Sequence, residues 1–213
     1  MIHEDAFSKQ IIGINPEPLG IFNLSPSKHE EYKRLIINIF ESADIKYRQK
    51  YKKEPFTEHI CNNLNQNIFI DFPSLEELKI EINKMVIDFI NDIGYSTDEI
   101  IITDAWLNNS SEKSTLEWHY HSNSVISGNY FVNYNPNYHS PLSFWNDRVR
   151  LGMSERFPSI QIQKNPNKNT IFNNNVVATN PKEGQIILWR SQLIHGYEIP
   201  NKSDNRLTLS FNS

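Results

Sequence analysis

In the first half of the chain apolar residues recur every three or four positions; in the second half they alternate with polar ones. Tyr32, Leu35, Ile36, Ile39, Phe40, Ala43 and Tyr47 make one helical stripe, and Ser27 with Glu30 ahead of it reads as a capping box. Leu75, Leu78, Ile82, Met85, Phe89 and Ile93 make a second, which starts behind Ser74, with Glu77 three residues on, and stops at Gly94. A short extended segment from Ile11 to Leu24 precedes both. The basic run from Lys46 to Lys53 reads as the solvated end of the first helix, where lysines suit the dipole. From Glu99 onward, short β-branched or aromatic runs are separated by Asn, Pro and Gly, as a meander or jelly roll requires. Asn-Pro pairs at 135, 165 and 180 mark turns. The expected organisation is one domain, 1–213: residues 1–98 supply an N-terminal strand and buttressing helices, and 99–213 the β core. The least regular stretch, Arg148 to Asn169, reads as a lid, a substrate-recognition loop or a disordered insertion.

Composition narrows the function classes. A chain of 213 residues supports one substantial core, and two domains are disfavoured. With a net charge of −4 and a pI near 6.0 there is no basic stripe, so a nucleic acid is not indicated as a partner. The single cysteine, Cys61, excludes an internal disulfide, suits a reducing compartment and reads as a small packing residue. The start, Met1-Ile2-His3-Glu4-Asp5, has neither a positive region nor a long apolar stretch, and no window is long enough to span a bilayer; a cytoplasmic protein is expected. With 7 glycines, no phosphate-cradling loop stands out.

The residues that carry chemistry are histidines and one arginine. In Trp118-His119-Tyr120-His121 the imidazoles sit at i and i+2, so on an extended strand both point to one face while Trp118 and Tyr120 point to the other. His195, just after the apolar run Ile186-Ile187-Leu188-Trp189, is placed to be a third ligand. Three facial ligands leave positions open for substrate and dioxygen, as in non-haem iron oxygenases, although imidazole also suits zinc, copper or nickel. Ordinary strand histidines are the alternative. Arg206 heads Arg206-Leu207-Thr208-Leu209-Ser210-Phe211, a strict alternation that puts Arg206, Thr208 and Ser210 on one face. If the leucines pack under helices, the guanidinium points into the barrel, where it needs an anion; a bound dicarboxylate would satisfy it bidentately, with Thr208 assisting. The alternative is a rim arginine paired with Asp204 or Glu183.

Taken in order, Trp106-Leu107-Asn108, Trp118-His119-Tyr120-His121, Ser127-Gly128-Asn129-Tyr130-Phe131-Val132, Pro141-Leu142-Ser143-Phe144, Gly184-Gln185-Ile186-Ile187-Leu188-Trp189, Ser191-Gln192-Leu193-Ile194-His195 and Arg206 to Asn212 resemble a 2-oxoglutarate- and iron(II)-dependent oxygenase of a small bacterial and phage-type branch. The resemblance runs from about Ser74 to the C-terminus, and its blocks cover roughly half the chain.

It implies a mainly β fold with helical support, a double-stranded β-helix or cupin-like jelly-roll barrel. The implied cofactors are Fe(II) and 2-oxoglutarate, used to hydroxylate a substrate as 2-oxoglutarate is decarboxylated to succinate. His119 and His195 would be metal ligands, Arg206 would hold the distal carboxylate of 2-oxoglutarate, and Thr208 would support it. Relatives mostly carry a carboxylate as the middle ligand; here His121 stands there. Either three histidines bind the metal, or His121 and His195 do with His119 behind them; Glu117 and Asp147 are the nearby acids and neither has the expected spacing. Phe131 stands where many relatives place Tyr, which leaves Asn108 or Asn129 to contact the co-substrate. The runner-up is a non-catalytic cupin-like module that binds a metal or ligand. Trp118, Tyr120 and Trp145 read as sheet packing before substrate channel. Substrate and oligomeric state, including a homo-oligomer, are left open.

Overall fold

The alternation in Arg206–Asn212 is used on both sides of the strand, because all seven residues are buried. Leu207, Leu209 and Phe211 belong to the main apolar core, while Arg206, Thr208, Ser210 and Asn212 face a cavity. In the computed structural model, which describes residues 17–50, 57–61, 66–145, 167, 170 and 174–213, this division repeats across a whole sheet.

The strands are β1 (Leu19–Asn23), β2 (Arg48–Lys50), β3 (Thr57–Ile60), β4 (Asp104–Ser110), β5 (Leu116–His119), β6 (Ile126–Asn133), β7 (Ser143–Trp145), β8 (Val176–Ala178), β9 (Gln185–Arg190), β10 (His195–Tyr197) and β11 (Arg206–Asn212). They form a seven-stranded sheet, β1-β9-β6-β11-β4-β3-β2, and a four-stranded sheet, β5-β10-β7-β8. These strands pair antiparallel throughout. From β4 to β11 the chain passes back and forth between the two sheets, as in a jelly roll, and this double-stranded β-helix is the expected fold.

Helices α1 (Pro26–Ser42) and α3 (Glu76–Asp92), with the short α2 (Ile68–Asp71), cover the outer face of the larger sheet. Ile36 and Ile39 of α1 and Leu78, Ile82, Val86 and Phe89 of α3 share one core with Leu107, Val132, Ile186, Leu188 and Leu209. Each fully buried aliphatic side chain contributes about 1.5–3 kcal/mol relative to exposure, so this layer is the main source of stability. Gly128 marks the closest approach: a Cβ there would lie 2.3 Å from the Phe211 ring and 2.7 Å from Leu188. A smaller cluster, Phe131, Tyr134, Leu142, Phe144, Ile187 and Trp189, packs between the sheets.

Several expected details are corrected. The cap of α1 is Ser25, whose side chain accepts from the Lys28 backbone N–H, and not Ser27; Pro26 follows it at the first helical position, which suits proline. The helix ends at Ser42, so Tyr47 lies beyond it in a 3-10 turn. The described part of the basic run does not end the first helix: Lys46 and Tyr47 lie in that 3-10 turn, and Arg48–Lys50 is an edge strand against β3, with Arg48 Nη1 3.2 Å from Glu58 Oε1. Ser74 does not cap α3, because Pro73 opens a 3-10 turn and the α-helix starts at Glu76. Gly94, with φ of 92°, ends it as expected. Within the β-rich part that opens at Glu99, the first strand starts at Asp104. The 148–169 stretch lies outside the described residues apart from Asn167, as do Asp147, the Asn165 turn and the extended start before Glu17. No helix among the described residues is long and apolar enough to cross a membrane.

Candidate active site and metal centre

Cross-strand pairing assembles the histidines. His119, the last residue of β5, stands directly opposite His195, the first of β10, and their ring centroids lie 4.3 Å apart. His121 is not on the strand as expected but lies two residues past the end of β5, its ring 5.2 Å from that of His119 and 5.4 Å from that of His195. One ring nitrogen from each lies within 4.8 Å of the other two.

The tautomers of two of them follow from their partners. His119 Nδ1 is 2.8 Å from the Glu117 carbonyl and His195 Nδ1 is 2.9 Å from the Leu193 carbonyl. A carbonyl only accepts, so both Nδ1 atoms carry the proton and both Nε2 atoms present a lone pair. His195 is packed against the Trp189 ring at 4.8 Å. Burial, then the neighbouring His119, hold its pKa down at about 3. Burial and His119 lower that of His121 as well, with the Asp104 carboxylate pulling the other way. His195 is therefore a neutral donor at ordinary pH, the form a metal needs.

The triad opens into a cavity of about 360 Å³ whose wall is the inner face of the larger sheet. Along β4 and β11 the register pairs Ser110 with Arg206, Asn108 with Thr208, Trp106 with Ser210 and Asp104 with Asn212. Asn108 Nδ2 donates to Ser210 Oγ at 2.7 Å, and Ser210 Oγ donates to Asn129 Oδ1. At the far end Arg206 is 3 % exposed. Its Nε donates to the Ser140 carbonyl at 3.2 Å and its guanidinium lies over the Tyr197 ring at 4.6 Å. No carboxylate pairs with it among the described residues. Glu183 holds Lys33, His29 and the Tyr134 N–H instead, and Asp204 accepts from the Glu112 N–H, so the rim pairing is excluded. A buried guanidinium that lines a cavity and has no carboxylate partner fits a bound carboxylate.

His119, His121, His195, Asn108, Asn129, Arg206 and Thr208 all line this one cavity. Phe131 is buried between the sheets, 5.8 Å from the Arg206 guanidinium, and Trp118 packs edge-on against Trp145 at 5.2 Å. Asp104, Asn212, Ser127, Tyr197, His59 and Cys61 also line the cavity, where no sequence motif gives them a role. Asp104, Ser127 and Asn212 were reachable by counting alternation along their strands; His59 and Cys61 were not, because the β3 region was not recognised as part of the sheet. A second cluster, His29, Glu30 and Glu183, is closed to a cation, since the Lys33 ammonium sits 2.6 Å from Glu183.

The family model described as "Putative 2OG-Fe(II) oxygenase" matches residues 104–212, just over half of the chain and the whole span from Asp104 to Asn212. The chain belongs to the 2OG-Fe(II) oxygenases. It is an oxidoreductase that uses Fe(II) with 2-oxoglutarate as co-substrate. No curated protein matches the sequence significantly. Among solved structures, this oxygenase superposes on a 2OG-Fe(II) oxygenase family oxidoreductase from Burkholderia pseudomallei with a TM-score of 0.55 at 11% identity, over 91% of this chain and 84% of that one. HygX from Streptomyces hygroscopicus, solved with nickel, 2-oxoglutarate and hygromycin B bound, gives 0.56 at 9% identity over 92% and 82%. A prolyl hydroxylase from Trichoplax adhaerens gives 0.54 at 15% identity over 91% and 83%. At these identities the likeness is one of fold.

Proposed function

We propose that the protein hydroxylates a substrate at the mouth of this cavity, with Fe(II) held by the Nε2 atoms of His119, His121 and His195 and 2-oxoglutarate anchored by Arg206. The observation that carries the reading is the buried, carboxylate-free Arg206 at the end of the same cavity that the three imidazoles enter. Bound Fe(II) with 2-oxoglutarate would supply the oxidising chemistry, with dioxygen giving one oxygen atom to the succinate formed as carbon dioxide leaves and the other to the hydroxylated substrate.

The chain's own residues supply the rest. Arg206 meets the distal carboxylate in the planar fork that a carboxylate fits, and Thr208, on the same face, adds a hydroxyl. Asn108 and Asn129, tied together through Ser210, provide the polar contact that a tyrosine in place of Phe131 would otherwise make. Trp189 and Phe144 wall off His195 from water. In HygX a metal and 2-oxoglutarate bind within this same fold, which supports the assignment here.

The test is turnover of 2-oxoglutarate by iron-loaded protein without added substrate, read as succinate formed per oxygen consumed. Slow succinate formation that is lost in His195→Ala supports the reading. Its absence, in a protein that retains iron, would leave a ligand-binding jelly roll as the better description.

A further inference from the structure

His121 differs from the other two histidines in what its Nδ1 meets. Where His119 and His195 each face a backbone carbonyl, His121 Nδ1 lies 3.4 Å from the side-chain amide of Asn212. That amide is 2.8 Å from Ser127 Oγ, which is 2.9 Å from Ser191 Oγ. Asn212, Ser127 and Ser191 are all buried. The four side chains form one hydrogen-bonded chain, and such a chain runs in one of two senses because an amide presents either a donor or an acceptor end of nearly equal shape.

The sense decides whether His121 can be a ligand. If the amide N–H donates to His121 Nδ1, the ring proton sits on Nε2 and that nitrogen has no lone pair for a metal. This is the sense in which the amide stands here, with its nitrogen toward the ring. If the amide is turned over, His121 Nδ1–H donates to the Asn212 oxygen, the Asn212 N–H donates to Ser127 Oγ, and the Ser127 hydroxyl donates to Ser191 Oγ. Each link from His121 to Ser191 then pairs a donor with an acceptor, and His121 Nε2 carries a lone pair as do those of His119 and His195.

Charge is the other thing a histidine lacks when it replaces a carboxylate ligand. Asp104 stands opposite Asn212 in the β4–β11 register and lines the same cavity, its Oδ2 accepting from Thr103 Oγ1 at 2.7 Å. A divalent metal, a 2-oxoglutarate dianion, the Arg206 cation and the Asp104 anion sum to zero. An iron centre with one carboxylate ligand, 2-oxoglutarate and an arginine gives the same total.

We propose that the work of the absent carboxylate ligand is divided between these two residues: Asn212, backed by Ser127 and Ser191, is the positioning residue that turns His121 Nε2 toward the metal, and Asp104 balances the charge. The inference rests on the metal-centre reading above. It makes the site a three-imidazole centre and assigns its third ligand to a hydrogen-bonded relay that the other two do not need. Partners of this kind outside the ligand set typically change metal affinity about 10- to 100-fold.

Cobalt(II) serves as the probe, with binding measured by chelator competition and the coordinated imidazoles counted from exchangeable, hyperfine-shifted ring N–H resonances in the proton spectrum. The wild type is expected to show three such resonances. Asn212→Leu, which offers no acceptor, is expected to keep two and to bind cobalt about 10- to 100-fold more weakly. Asn212→Asp restores an acceptor and keeps three; Ser127→Ala guards against a misfolded leucine variant and is expected to weaken binding less. Asp104→Asn keeps three resonances with weaker binding. Two resonances in the wild type, or three with unchanged affinity in the Asn212→Leu and Asp104→Asn variants, would overturn the inference while leaving the metal centre intact. A wild type that binds no cobalt would sink the metal-centre reading itself.

Discussion

The two faces of β11 are equally buried and chemically opposite. On the outer face Leu207, Leu209 and Phe211 pack beneath α1 and α3. On the inner face Arg206, Thr208, Ser210 and Asn212 line the cavity with relative exposures no higher than 9%. The outer face holds the fold by volume, and any well-fitting apolar set serves that purpose. The inner face holds a guanidinium and several hydroxyl and amide groups at fixed positions, an arrangement that costs stability unless something binds there. Burial alone therefore does not identify the site; burial of polar groups on one side of an otherwise apolar sheet does.

That contrast is broken most strongly by substitutions at the same strand. Arg206→Ala is expected to cost about 2–5 kcal/mol of 2-oxoglutarate binding while leaving metal binding in place, measured by anaerobic titration and metal analysis. Leu209→Ala, one strand face away, is expected to cost about 2–5 kcal/mol of folding stability by chemical denaturation, with the co-substrate affinity of the folded protein retained. If either substitution produced the other's effect, the division of labour would be wrong. Gly128→Ala sharpens the outer-face half: the added methyl must displace the Phe211 ring, and a loss of about 1–3 kcal/mol in stability is expected.

The smallest effect lies outside both faces, at the clasp joining α1 to the turn before β9. Burial opposes the charge on Glu183, but hydrogen bonds from Lys33, the Tyr134 N–H and His29 outweigh it and hold the carboxyl below its ordinary value. A carboxyl whose pKa is lower folded than unfolded contributes stability above the unfolded pKa and loses it as pH falls through the folded one. Because the pair is partly solvated, Glu183→Gln is expected to cost only about 1 kcal/mol near neutral pH, a difference that fades below about pH 4 in denaturation curves. A difference that grew in acid would contradict the assignment.

The sequence made the inner face of β11 legible because strict alternation leaves no doubt which residues share a side. The histidines were legible as a set but not as a geometry, since the cross-strand pairing of His119 with His195 depends on which strands meet. The same limit hid Asp104, which reaches the site through its register with Asn212 rather than through nearness in sequence. Helix starts were misplaced by one or two residues for a local reason: prolines at 26 and 73 begin the turns, and the hydroxyl that matters is the one before the proline or none. The β2–β3 hairpin was missed because a basic run fits an exposed edge strand as well as a helix end.

The inner face of β11 is expected to bind what its chemistry predicts, a dicarboxylate beside a metal. The direct measurement is anaerobic titration of the Fe(II)-loaded protein with 2-oxoglutarate, following the visible charge-transfer band of the chelate in wild type and Arg206→Ala. The band is expected to saturate in the wild type and to need far higher 2-oxoglutarate in the variant. A protein that retains iron and gives no band, or an identical titration without Arg206, would contradict the account.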